Sequence, residues 1–185
     1  MKNAICSCRR RHLLGGLAAV AALGALGGLA GCGDKGASAQ ALAPVEIDRS
    51  TSCELDGMLL SDYPGPKAQV HYAGQAQPSF FCDTVELFNT LLAGEQVRAI
   101  RAVYVQDMGQ AQWEQPVGHW FDAKTGVYVL GSKRHGSMGP TIASFAQEAD
   151  AVKFAAEYGG KVLRFADIKI DMVDLSGAAL HDTRM

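Results

Sequence analysis

Along this chain apolar residues mostly come in short runs, and twice they switch to helical spacing. Short β-type runs fall at residues 68–72 and 79–82, and a longer one, rich in β-branched and aromatic residues, at 97–106. Between the last two, Asp83 and Glu86 stand at capping-box spacing. They open a stretch in which Val85, Phe88, Leu91 and Leu92 share one helical face, with Gly94 as the stop. Further on, Trp120-Phe121 and residues 127–130 flank a polar turn and predict a hairpin. Ser144 and Gln147 predict the cap of a second helix over residues 146–158, ended by Gly159-Gly160, and residues 162–168 predict a last strand. A short strand is also expected at residues 45–47. Two similar units emerge, residues 45–112 and 113–173, each with short strands, a capped helix and a following strand. The fold class is α+β with a largely antiparallel sheet.

Two breaks stand out. Ser61-Asp62-Tyr63-Pro64-Gly65-Pro66-Lys67 is a turn. Gly131-Ser132-Lys133-Arg134-His135-Gly136-Ser137-Met138-Gly139-Pro140 carries three glycines and a proline, which exclude a helix interior or a central strand and predict a loop. Met138 lies within this second stretch. Met58 closes Cys53-Glu54-Leu55-Asp56-Gly57-Met58, just ahead of the first.

The first residues do not fit the fold pattern. Lys2, Arg9, Arg10, Arg11 and His12 precede an uncharged Leu/Ala/Gly run that ends in Leu29-Ala30-Gly31-Cys32. This is the layout of a secretory leader, and the final box resembles that of bacterial lipoproteins. Residues 1–31 are then a signal peptide and Cys32 carries lipid; a plain membrane-spanning helix is the alternative. Arg10-Arg11 also resembles a twin-arginine export signal. Residues 32–44 read as a flexible tether and 174–185 as a tail. Removing the leader's four basic residues from the chain's 17 leaves 13 against 19 acidic ones, a net charge of −6, which argues against a nucleic-acid partner.

Cleavage also removes Cys6 and Cys8, so Cys53 and Cys82 are the only thiols left to the domain. Outside the cytoplasm such a pair either forms a disulfide or is kept reduced, for instance by a metal. A thiolate with thioethers suits a soft monovalent ion such as Cu(I). Met58 and Met138 could equally be core fillers. His135 is a further donor or part of a solvated basic loop. No Ser/His/Asp or His-Glu-x-x-His arrangement points to an enzyme.

The stretches 57–67, Phe80-Phe81-Cys82, 104–109 and 131–140 together resemble the NosL family, copper-binding lipoproteins accessory to nitrous-oxide reductase. The resemblance implies two ββαβ units with approximate two-fold symmetry, similar to part of organomercurial lyase. It implies a Cu(I) metallochaperone, anchored by lipid on the periplasmic side of a bacterial cell membrane. The implied partners are the nitrous-oxide reductase apoprotein and an ABC-type membrane complex. Its metal ligands map onto Cys53 and Met138, with Met58 beside them. Asp56 stands where some relatives carry a cysteine, and Cys82 ranks below Cys53 as a ligand. The alternative is a structural assembly factor with a Cys53–Cys82 disulfide. Cys32→Ala is expected to release the protein from washed membranes into the soluble fraction; retention with the leader uncleaved would instead identify a spanning helix.

Overall fold

The computed structural model describes residues 42–94 and 97–175. The expected leader, Cys32 and most of the tether lie outside them, as does nearly all of the expected tail. In order, the elements are β1 (Ala68–Tyr72), β2 (Ser79–Phe81), α1 (Thr84–Leu92), β3 (Ile100–Gln106), β4 (Trp120–Asp122), β5 (Val127–Gly136), β6 (Gly139–Phe145), α2 (Glu148–Tyr158) and β7 (Lys161–Arg164). They form two antiparallel sheets, ordered β2-β1-β3-β4 and β6-β5-β7. The sequence strand, strand, helix, strand therefore occurs twice, each time with the first strand between the other two. This is the mixed helix-and-sheet fold expected.

Strand periodicity explains the layering. Ala68, Val70 and Tyr72 of β1 and Val103 and Val105 of β3 enter one core with Leu87 and Phe88 of α1 and with Tyr128, Ile142 and Leu163 of the second sheet. The alternate residues Val127, Val129, Ala143 and Phe145 form a separate core with Ala151 of α2. The second sheet is thus covered on both faces, which is why its central strand starts as an unbroken apolar run. Phe88 meets Tyr128 edge-on at 5.0 Å and Phe165 at 5.4 Å, joining α1 to the second sheet.

Asp107 fastens the end of β3 to the second unit. Its Oδ1 accepts from the backbone amides of Gly109 (3.0 Å) and Ala146 (3.1 Å), and the adjacent Met108 amide donates to the Ser144 carbonyl at 2.9 Å. Met108 itself packs against the second core.

Several expectations need correction. Residues 120–121 and 127–130 do not pair with each other. β4 pairs with β3, Gln106 facing Trp120, while β5 pairs with β6 and β7. The short helical turn Ala123–Thr125, capped by Asp122, carries the chain from one sheet to the other. The cap of α2 is Gln147, without a side-chain hydrogen bond. Ser144, expected to take part in that cap, sits in β6 and donates to the Gln106 carbonyl. Residues 165–167 wind into a helical turn, so β7 is shorter than expected. Residues 45–47 form no strand; instead the Gln69 side chain bonds both the amide (2.8 Å) and the carbonyl (2.9 Å) of Val45, imitating a strand partner.

The glycine-rich stretch is a two-stranded ribbon. Past Leu130, β5 has lost β7 as a neighbour and pairs only with β6, itself an edge strand, where Pro140 faces His135. The register shifts between Leu130 and His135, so the residues between them bulge out of the ladder. Ser137-Met138 forms the tip, flanked by the pair Gly136 and Gly139, with Gly139 at φ 93°.

His71 lies on the other face of the first sheet. It is buried, bonds Gln69 Oε1 at 3.1 Å and meets Tyr104 edge-on. Burial holds its pKa below the ordinary value of 6.5. Below that pH the unfolded chain binds a proton that the folded chain refuses. The neutral imidazole's contribution is complete above about pH 6.5 and is lost as pH falls through the folded value, with a slope of at most about 1.4 kcal/mol per pH unit. Denaturant unfolding of wild type and His71→Gln from about pH 7.5 down to 5 should show the wild type losing this increment and the variant not.

Candidate metal centre

Three distant segments build the centre. In the first, the Cys53 amide donates to the Met58 carbonyl (2.9 Å) and the Gly57 amide to the Cys53 carbonyl (3.1 Å). Asp56 Oδ1 accepts from the Met58 amide at 2.9 Å, and Gly57 takes φ 77°. This closes residues 53–58 into a tight loop that keeps both sulfur-bearing side chains together. Ser52 bridges to Leu59 and the Glu54 amide donates to the Phe80 carbonyl, hanging the loop on β2. In the second segment, β2 runs directly into α1 through Cys82 and Asp83. Asp83 is the N-cap, accepting from the Val85 amide at 2.9 Å. The third segment is the ribbon tip with Met138.

The turn at residues 61–67 brings the third segment to the other two. A Cβ on Gly65 would lie 2.8 Å from the Gly136 Cα, and one on Gly136 would lie 2.2 Å from Asp83 Oδ2. Neither position has room for a side chain, so the two glycine-bearing stretches cross in backbone contact. Lys67, fully buried, then locks the crossing. Its Nζ donates to the Pro64 carbonyl (2.8 Å), the Cys82 carbonyl (3.0 Å) and Ser137 Oγ (2.7 Å). Burial lowers its pKa to about 8, against the pull of Asp83 and the nearby thiols and Glu86, so at neutral pH it remains a cation.

Cys53 (4 % exposed) and Cys82 (0 %) form a small core with Leu60, against which Ile47, Met58, Phe80 and Met138 pack. Cys53, Met58 and Met138 thus belong to one packed cluster. Cys82, ranked lower, is at the centre. Glu86, expected to return to the helix cap, lies one turn along α1 with its Oε2 accepting from both thiols, each at 3.2 Å. Asp56 is 3.8 Å from the Cys82 sulfur, and ligand atoms of Cys53, Asp56, Cys82 and Glu86 all lie within 4.8 Å of one another. Both cysteines are free thiols. The neighbouring Cys53 thiol, burial and Glu86 push the Cys82 thiol well above its ordinary range, and burial, opposed by the two thiol donors, raises Glu86.

The other candidates lie elsewhere. His135 is exposed, and its backbone carbonyl accepts from Trp113 Nε1. Arg134 is half-buried over the rings of Trp113 and Tyr158 and pairs with Glu114 at 2.8 Å, so it serves packing. Reasoning from the sequence missed Glu86 as part of the cluster. The signal was there: Cys82 precedes the helix cap and Glu86 lies in the first helical turn, four residues on.

The NosL family model matches residues 44–173. The chain belongs to the NosL family. It is 39 % identical over 152 residues to the copper-binding lipoprotein NosL of Stutzerimonas stutzeri, covering 81 % of this chain and 78 % of that one. It is 37 % identical over 139 residues to the copper-binding lipoprotein NosL of Achromobacter cycloclastes, covering 73 % and 72 %. The crystal structure of the copper chaperone NosL from Shewanella denitrificans superposes with a TM-score of 0.65 at 38 % identity, over 70 % of this chain and 96 % of that one. Among the described residues no helix is long and apolar enough to cross a membrane.

In this NosL-family chain the ribbon tip depends on Ser137, which bonds both Lys67 Nζ and the Cys82 carbonyl. Ser137→Ala is expected to destabilise the fold by about 1–3 kcal/mol in denaturant unfolding, because a buried ammonium loses an acceptor. Lys133→Ala, exposed on the same ribbon, should stay within about 0.5 kcal/mol of wild type.

Proposed function

We propose that this protein is a Cu(I) metallochaperone, tethered through lipid on Cys32 to the periplasmic side of a bacterial cell membrane. It delivers copper for maturation of nitrous-oxide reductase, handing it to the reductase apoprotein together with an ABC-type membrane complex. Cys53 supplies the thiolate, and Met58 and Met138 the thioethers. The observation that carries the reading is one packed cluster holding the side chains of all three, drawn from the 53–58 loop and the far ribbon tip. An all-sulfur set of low coordination number suits a soft monovalent ion, and a donor on a ribbon tip suits a metal that has to leave again. The copper-binding relatives and the copper chaperone of known structure point the same way. The doubled strand-strand-helix-strand order supports reading the units as ββαβ halves related by approximate two-fold symmetry, like part of organomercurial lyase. The chain acts as a carrier, not an enzyme.

The thiols stand close enough to favour one second reading, a structural assembly factor closed by a Cys53–Cys82 disulfide. Thiol counting on the mature lipidated protein, denatured and metal-free, separates the two: two reactive thiols for the carrier, none for the disulfide form.

Cu(I) competition titrations of the mature lipidated protein in detergent test the site. Wild type should bind one ion, more weakly as pH falls, because protons compete for the thiolate. Cys53→Ser and Met138→Ala should each weaken binding, Cys53→Ser by at least about 100-fold, equivalent to about 2.7 kcal/mol. Unchanged affinity in both variants would remove the site.

A further inference from the structure

We infer that Cys82 is a second thiolate ligand, so that Cu(I) is held between Cys53 and Cys82, with the thioethers completing the site. The inference rests on the carrier reading above and deepens it.

Geometry is the first ground. With metal–sulfur bonds of about 2.3 Å, two sulfurs on one ion lie about 4.0 Å apart in a trigonal site and about 4.6 Å apart in a linear one. The ligand atoms of the cluster, both sulfurs included, already lie within 4.8 Å of one another. The two thiols also converge on a single Glu86 oxygen at 3.2 Å each, so both point toward one place.

The second ground is the surrounding polarity. A cysteine used as a small apolar filler belongs among apolar neighbours. Here a carboxylate 2 % exposed stands against both thiols, and among the described residues no lysine or arginine forms an ion pair with it. Burying Glu86 beside two cysteines is unfavourable for packing alone and becomes intelligible if those sulfurs react. The third ground is charge. One Cu(I) with two thiolates carries a net −1, and the Lys67 ammonium, bonded to the Cys82 carbonyl and to Ser137 beside Met138, is a nearby cation that it shares with Asp83 and Glu86. On loading, each S–H bond is replaced by a S–Cu bond, the two protons leave to solvent, and no atom changes oxidation state.

The test compares wild type, Cys82→Ser, Cys82→Ala and Cys53→Ser as reduced mature lipidated protein in detergent, titrated with Cu(I) against a chromogenic chelator. Thiolate-to-copper charge-transfer absorption is read in the same samples, and circular dichroism selects folded variants. Both Cys82 variants should lose more than about 100-fold in affinity, beyond the 10–100-fold typical of partners outside the ligand shell, and about half of the charge-transfer intensity. Full intensity in either folded Cys82 variant, whatever its affinity, would overturn the second thiolate. If Cys53→Ser still abolished binding in that case, the carrier would stand with a single thiolate. If wild type itself took up no stoichiometric Cu(I), both readings would fall together.

Discussion

The sulfur cluster depends on one buried ammonium. Lys67 joins the turn before β1, the junction of β2 with α1, and the ribbon tip through three hydrogen bonds to Pro64, Cys82 and Ser137. Removed from water, a lysine is costly unless every proton finds an acceptor, and here all three do. The same requirement fixes the backbone around it: three oxygens have to converge on one nitrogen, which brings Pro64 and Ser137 together and forces the Gly65–Gly136 contact. The positions of Met138 and Cys82 follow from that convergence.

A cation held at the centre also organises the buried acids. Asp83 caps α1 with Oδ1, which in addition accepts from Thr141 at 2.6 Å, while Oδ2 has no hydrogen-bond partner among the described residues. Burial raises the pKa of Asp83, and Lys67 works against that rise. Glu86 stands one turn on, against the thiols. Such groups are weak grounds for stability, since desolvation rivals attraction in each pair. What they provide is position. A hydrophobic replacement of Lys67 and its partners could be as stable, yet nothing would then specify where the ribbon tip sits over α1.

Much of this was legible along the chain, and the gaps have physical causes. The caps and stops of α1 and the strands β1 and β2 follow local rules, because Asp83 as N-cap, Gly94 after the helix and the short apolar runs depend on near neighbours. The meeting of Cys53, Met58 and Met138 was legible only through resemblance to a family, since nothing local encodes a contact between residues so far apart. The false hairpin at 120–130 arose because a polar turn between two apolar runs reads alike whether the runs pair with each other or join different sheets. Glu86 misled for a related reason: capping-box spacing and cluster spacing coincide at the start of a helix, and only the third dimension decides which partner its carboxylate takes.

Exposure grades the donors in an order that suits a metal in transit. Both cysteines are buried, whereas Met58 and Met138 are half-buried at the rim of the same cluster. If copper is held as proposed, an incoming donor meets thioethers first, and a neutral thioether is more easily displaced than a thiolate. Met138 lies at a ribbon tip with one neighbouring strand, and Met58 closes a loop joined to the sheet by few backbone bonds. The thiols stand on the ordered junction of β2 with α1 and on the loop tied to it, beneath the rim. On the proposed carrier reading, strong binding inside and weak binding outside would allow stepwise exchange, in which the ion gains a new ligand before it leaves its last thiolate. The fold produces this gradient simply by placing the helix start deep and the ribbon tip shallow.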